Sequence, residues 1–259
     1  MNFIIPYYDD NRLEYTSKYL TKLGYHEVYD KNKADFVIFA PAEKEERIEE
    51  FKDLFIFLGQ TNIDKEKYQF YDYNKREDFK YKNAMLTSEG AVALYKINSD
   101  KAFLSSRVLI TGYGKIAKAL CKSLKSFGAN VTVCARSDIN KAEALGDGAN
   151  VINFSNLLCN EFDIIFNTVP AVCFTKKEID TFKENAIYIE LASFPGGIDK
   201  HYAKAKHINL INGSKLPSKF SKESAGYFIA QAIDKSIKEG IIWISGIAWQ
   251  AHFVLLKNQ

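Results

Sequence analysis

The chain has 259 residues, enough for one large domain or two ordinary ones and too many for a small module. Its 47% hydrophobic and 26% charged content is that of an ordinary globular protein and excludes a low-complexity chain. With 35 basic against 32 acidic residues the net charge is only +3, so charge gives no reason to expect nucleic acid as a partner.

The opening Met-Asn-Phe-Ile-Ile-Pro has no basic stretch and no long apolar run, so no signal peptide is expected. Short β-rich runs then alternate with amphipathic stretches, the pattern of parallel α/β layers. The first half predicts strands at 3–5, 27–29, 35–40 and 54–58, a helix near 10–23 and a charged helix at 43–53. The charge run from Glu43 to Lys52 reads as a solvated helix face, its acids near the N-terminus as the helix dipole prefers. Tyr68, Tyr71 and Tyr73 form an aromatic patch. Such aromatic-and-lysine stretches can bind single strands, but half-buried strands near a domain edge account for this one better.

The seam between two halves is expected at 83–106, which opens Asn83-Ala-Met-Leu-Thr-Ser-Glu-Gly-Ala-Val-Ala-Leu94. Thr87 or Ser88 can cap a helix running from Ser88 to about Lys101, with Glu89 in its first turn. Read plainly, this is only a cap. Read as a site, a capped N-terminus facing a cleft can hold a substrate carboxylate.

Residues 108–117 read Val-Leu-Ile-Thr-Gly-Tyr-Gly-Lys-Ile-Ala, an apolar strand entering a glycine turn that opens a helix. Gly112 allows the tight turn, Gly114 lets a pyrophosphate approach the backbone, and small Ala117 lets the helix pack on its strand. The first N–H groups of the helix, at 114–116 with Tyr113, Lys115 and Ile116 around them, face an anion. Helix 115–127 carries the stripe Ile116, Leu120, Leu124 and Phe127, and Gly128 ends it. The next strand is Val131-Thr-Val-Cys-Ala-Arg136-Ser137, at roughly the twenty-residue spacing of a dinucleotide fold. An acid there binds a ribose 2′-hydroxyl, whereas Arg136 with Ser137 pairs with a 2′-phosphate, so the expected cofactor is NADP, with NAD possible.

Further strands are predicted at 107–111, 130–135, 149–153, 162–166, 186–191 and 207–211, and a final helix near 221–239. Asn167-Thr-Val-Pro170 and Ile187-Tyr-Ile-Glu-Leu-Ala-Ser-Phe-Pro-Gly-Gly197 each end an apolar strand in polar or flexible residues. Alone, each is an ordinary strand-to-helix loop; together, at the carboxyl ends of strands, they point to a nicotinamide site. Cys121, Cys134, Cys159 and Cys173 form no Cys-x-x-Cys pair and sit in apolar elements, so reduced buried thiols of a cytosolic protein are expected. The four histidines are scattered and offer no metal-ligand spacing. Residues 241–256 are apolar but short for a membrane span, and Gln250 and His252 interrupt them.

The expected architecture is α/β: two α/β domains, the C-terminal one an NAD(P)-binding Rossmann fold with a parallel sheet. Residues 1–86 form the N-terminal, substrate-side domain and 87–239 the NADP-binding domain with its linking helix, while 240–259 pack back on the body.

In combination and order, Thr87-Ser-Glu-Gly90, Gly112-Tyr-Gly-Lys-Ile-Ala117, 128–137, Asn167-Thr-Val-Pro170, 191–197 and Ser224-Ala-Gly226 resemble the A subunits of dipicolinate synthase, from spore-forming bacteria. The resemblance covers 83–232. It implies an NADP-type oxidoreductase acting on a CH–CH donor in the cytoplasm of the mother cell, with the flavoprotein-like B subunit of dipicolinate synthase for a partner. Together they would convert a dihydrodipicolinate-level intermediate of the lysine pathway to pyridine-2,6-dicarboxylate during sporulation. Two departures stand out. The N-terminal part lacks a glycine-rich first turn, so residues 3–10 are not credited with a nucleotide. The loop Asn212-Gly-Ser-Lys-Leu-Pro-Ser218 replaces a Pro-Gly-Leu-Pro-Gly-type loop.

On this reading Gly112, Tyr113, Gly114, Lys115 and Ile116 hold the pyrophosphate, and Arg136 with Ser137 the 2′-phosphate. Thr168, Val169, Pro170, Ala192 and Ser193 line the nicotinamide side, while Thr87, Ser88 and Lys215 grip substrate carboxylates. No His-Asp or Lys-Asp relay is visible, which leaves Glu89 and Ser193 as the catalytic candidates. Two other readings stay open: a two-domain dehydrogenase of the 2-hydroxy-acid or shikimate type, and a non-catalytic protein that only binds the nucleotide.

Overall fold

The computed structural model describes residues 1–41, 43–59, 63–64 and 66–241. The chain divides into two compact units: residues 1–80 with 222–259, and residues 81–221.

Unit 1 is built on a parallel sheet of β1 (Asn2–Ile4), β2 (His26–Glu27), β3 (Phe36–Ile38), β4 (Phe55–Leu58) and β5 (Phe70–Asp72), in the order β2-β1-β3-β4-β5. Helix α1 (Asn11–Lys22) follows β1, its first turn capped by the Asp10 side chain, and the short α2 (Glu45–Glu49) follows β3. The predicted charged helix is therefore cut to five residues. The tyrosine patch is structural: Tyr68 and Tyr73 are buried beside edge strand β5, and the Tyr73 hydroxyl donates to the Phe39 carbonyl.

Unit 2 opens with α3 (Glu77–Ile97), inside which the chain passes from unit 1. It continues through β6 (Arg107–Thr111), α4 (Lys115–Ser126), β7 (Asn130–Cys134), α5 (Asp138–Gly146), β8 (Asn150–Ile152), β9 (Ile164–Asn167), α6 (Lys176–Ile179), β10 (Ile187–Glu190), α7 (Lys200–Ala205), β11 (Asn209–Asn212) and α8 (Leu216–Phe220). All six strands are parallel, in the order β11-β10-β9-β6-β7-β8. This is the doubly wound order whose direction reverses at the central pair, here β6 and β9. Both faces are covered, which explains near-continuous apolar strands. Val108, Ile110, Val131, Val133, Phe166 and Ile189 enter one core, while Leu109, Cys134, Ile165 and Tyr188 enter the other.

Two expectations are corrected. The final helix, α9 (Lys222–Lys238), belongs to unit 1 and not to the nucleotide-binding half. Small Gly226 lets it lie against α1, where a Cβ would strike Tyr15, and the Thr16 hydroxyl lies 3.2 Å from the Gly226 carbonyl. The boundary expected after residue 86 falls instead at 80, within a helix. The segment 240–259, expected to pack back on the body, lies outside the described residues beyond 241. Among the described residues no helix is long and apolar enough to cross a membrane, and no cluster of potential metal ligands occurs.

Candidate functional site

The carboxyl edge of the unit 2 sheet gathers most of the singled-out residues. Leaving β6, Gly112 turns at φ +81°, a left-handed conformation that glycine adopts without steric cost. A Cβ there would stand 2.8 Å from the Thr168 hydroxyl and 3.0 Å from Val169. Its N–H donates to the Cys134 carbonyl at 2.8 Å, locking the turn to β7. Tyr113 is buried, and its hydroxyl donates to Asp147 at 2.7 Å. Burial first, and that bond second, raise its pKa, so it serves as a neutral anchor and not as an acid.

Gly114 is the opposite case. Its backbone is extended, at φ −81° and ψ −171°, and a Cβ built there meets nothing within 4 Å. It is the N-cap of α4, whose first N–H groups have no intrahelical partner. Open space over a glycine at the start of a twelve-residue helix is what an anion's close approach requires. Ala117 is fully buried, so α4 packs tightly on its strand. The Lys115 ammonium sits 5.1 Å from the centre of the Tyr81 ring.

At the end of β7, Arg136 is exposed with its guanidinium 5.8 Å from the Phe154 ring centre, and among the described residues it forms no ion pair. Ser137 caps α5, and its hydroxyl accepts from the Asn140 N–H at 3.5 Å, which leaves its proton to donate. The nearby acid Asp138 is already paired with Lys141 at 2.7 Å.

Beyond the reversal of strand order lies a buried polar network. Asn167, fully buried at the end of β9, accepts from the Thr111 hydroxyl at 2.5 Å and the Val169 N–H at 3.1 Å. Its amide donates to the Val169 carbonyl and, at 2.6 Å, to Glu190 at the end of β10. Glu190 also accepts from the Ala192 and Gly197 N–H groups and the Tyr188 hydroxyl. The Thr168 hydroxyl donates to the Thr111 carbonyl at 2.7 Å. Segments 167–170 and 192–197 are thus fastened to each other through two side chains. Val169 and Ala192 bond into this network, while Pro170 and Ser193 are more open at its rim.

Gly197 sits directly over the Asn167 carboxamide, where a Cβ would collide. Gly197→Ala is expected to cost about 3 kcal/mol, because a forced side-chain shift breaks the buried network. Chemical denaturation measures it, and a loss below a few tenths of that size contradicts the packing described.

The substrate candidates fare differently. Helix α3 begins at Glu77, so Thr87 and Ser88 cap nothing; they lie buried in its interior. The Thr87 hydroxyl donates to the Asn83 carbonyl at 2.7 Å, the back-bond that lets threonine sit in a helix, and Ser88 meets Ser123. Glu89 is exposed in mid-helix, while Gly90 is small because Leu216 presses on it. Lys215 is exposed at the start of α8, two residues after Gly213, whose N–H donates to the Glu190 carbonyl. It therefore belongs to the same sheet edge. Glu190 itself had no role assigned from sequence; its signal was a lone acid closing an apolar strand just before the Pro-Gly-Gly turn.

All four cysteines are free. Burial pushes the thiols of Cys134, Cys159 and Cys173 up to about 12; Cys121, Cys134 and Cys159 are buried as expected, while Cys173 is half-buried in the loop after β9.

A glycine turn on a helix N-terminus, at the switch point of a six-stranded parallel sheet, defines a Rossmann-type dinucleotide-binding fold. Residues 88–218 match the model of the NAD binding domain of S-adenosyl-L-homocysteine hydrolase, and the chain belongs to that family. It is also 27% identical to the A subunit of dipicolinate synthase from Bacillus subtilis over 167 residues, 64% of this chain and 56% of that one. The chain thus spans little more than half the length of that relative. The structure of the A subunit of dipicolinate synthase from Bacillus halodurans superposes with a TM-score of 0.78 at 20% identity, covering 90% of this chain and 96% of that one. D-lactate dehydrogenase from Escherichia coli gives 0.70 at 13% identity, over 93% and 98%. The fold is therefore dehydrogenase-like and similar to that of the dipicolinate synthase A subunits.

Proposed function

We propose that the chain is an NADP-dependent oxidoreductase that oxidises a dihydropyridine-2,6-dicarboxylate to the aromatic dicarboxylate, working beside a second, flavoprotein-like subunit in a sporulating cell. The observation that carries the cofactor part is the open space over Gly114 at the α4 N-terminus, with Arg136 at the end of the neighbouring strand.

The residues fit the dinucleotide. N–H groups at 114–116 take the pyrophosphate, and Arg136 with the Ser137 hydroxyl takes the 2′-phosphate through charge-assisted hydrogen bonds. Segments 168–170 and 192–193, held by Asn167 and Glu190, form the nicotinamide side. The nicotinamide, when bound, would supply the hydride acceptor, the remaining ring proton would leave to solvent, and aromaticity supplies the driving force. The chain's own work is orientation: a rigid edge fixes the angle of approach, and Lys215 offers a cation to a substrate carboxylate. Thr87 and Ser88 are left out of the substrate site, since both are buried in α3 and the Thr87 hydroxyl is already bonded.

The test is an assay of the purified chain with NADP⁺ and freshly made dihydrodipicolinate, with and without the second subunit. Dipicolinate formation that requires this chain supports the proposal. Formation that never depends on it sinks the proposal. Turnover of a hydroxy acid or shikimate points to the alternative dehydrogenases, and binding without turnover under any condition points to a nucleotide-sensing role.

A further inference from the structure

We propose that the buried carboxylate of Glu190 sets the redox preference of the cofactor site, favouring an oxidised, positively charged nicotinamide over the neutral reduced ring. The inference rests on the dinucleotide reading of unit 2.

Glu190 is 8% exposed, and each of its oxygens accepts two hydrogen bonds. Oε1 takes the Asn167 amide at 2.6 Å and the Ala192 N–H at 3.0 Å; Oε2 takes the Tyr188 hydroxyl at 3.0 Å and the Gly197 N–H at 2.8 Å. All four donors are neutral, and among the described residues the carboxylate forms no ion pair. Its charge is solvated by these dipoles and not by a salt bridge. Buried charges of this kind are poorly screened by water or salt. The field is felt close by: after burial, Glu190 is the largest influence on the Cys173 thiol and raises it, with Arg136 the next and opposing one.

Both segments that Glu190 fastens lie at the carboxyl ends of β9 and β10, the half of the doubly wound sheet left to the nicotinamide once the glycine turn and Arg136 hold the other half. The oxidised ring carries one positive charge and loses it on accepting hydride. A fixed negative charge therefore helps load the oxidised cofactor and release the reduced one, the order that an oxidation needs. A role confined to fastening the loops would change both affinities alike.

The test measures dissociation constants of NADP⁺ and NADPH for the purified full chain by titration calorimetry. The wild type is expected to bind NADP⁺ at least as tightly as NADPH. Glu190→Gln, which keeps the volume and removes the charge while giving up the two hydrogen bonds one oxygen accepts, is expected to shift the ratio of the two constants by about tenfold toward NADPH. Tyr188→Phe removes one donor and keeps the charge, and its ratio should stay within about twofold of wild type. Equal weakening of both forms by Glu190→Gln overturns the inference, as does a Tyr188→Phe shift as large as that of Glu190→Gln. A wild type that prefers NADPH by about tenfold also overturns it, even where the Gln variant does not fold. A wild type that binds neither form sinks the dinucleotide reading itself, and the inference with it.

Discussion

Gly114→Val is expected to leave unit 2 folded and to weaken dinucleotide binding by at least about a hundredfold. The backbone at 114 is extended and a Cβ there meets nothing within 4 Å, so the folded chain accommodates the side chain. The cost to stability is about 1 kcal/mol, since valine is a poorer N-cap than glycine. The same side chain fills the space over the α4 N-terminus. Losing two charge-assisted bonds of roughly 1.5–3 kcal/mol each removes more than two orders of magnitude of affinity. Gly112→Ala gives the reverse pattern. At φ +81° its methyl group meets Thr168 and Val169, so the loss falls on stability, by about 2 kcal/mol. Thermal denaturation together with cofactor titration separates the two glycines. Unchanged affinity in a folded Gly114→Val protein contradicts the pyrophosphate assignment.

Arg136→Asp is expected to weaken NADP⁺ binding by about 30- to 100-fold while changing NAD⁺ binding by a few-fold at most, because one charge-assisted contact to phosphate is replaced by repulsion. Arg136 is available for this role: it is exposed at the end of β7, in contact with the Phe154 face and in no ion pair among the described residues. The neighbouring Asp138 is an exposed residue in the first turn of α5, paired with Lys141 at 2.7 Å. Parallel titrations with both nucleotides check the prediction, and equal losses for the two count against a 2′-phosphate contact.

What could be read from the sequence was local. The glycine turn, Ala117, Leu120 and Leu124 of the α4 stripe, and the apolar runs of β6, β7, β9 and β10 are set by neighbours within a few residues and fall where expected, whereas Phe127, expected in the same stripe, lies past the end of α4 and is half exposed. Thr87 and Ser88 misled because hydroxyl residues cap helices and also sit inside them by bonding to the carbonyl four residues back. The true start is marked more plainly by Glu77 and Asp78, acids in the first turn of α3. A final helix near 221–239 was expected and is found, but nothing local in it names what it packs on. Its partner is α1, some two hundred residues earlier, and the signal is the close contact at Gly226. Glu190 was hidden for a third reason. An acid at a strand end is ordinary until the fold brings Asn167, Tyr188 and Gly197 around it.

That unit 2 holds a phosphorylated nicotinamide dinucleotide across the ends of β6, β7, β9 and β10 is tested most directly by a crystal structure of the full chain with NADP⁺. The pyrophosphate is expected on the N–H groups at 114–116, the 2′-phosphate against Arg136 and Ser137, and the nicotinamide beside segments 168–170 and 192–193. A dinucleotide bound elsewhere, or one bound in this place with its 2′-phosphate turned away from Arg136, would contradict it.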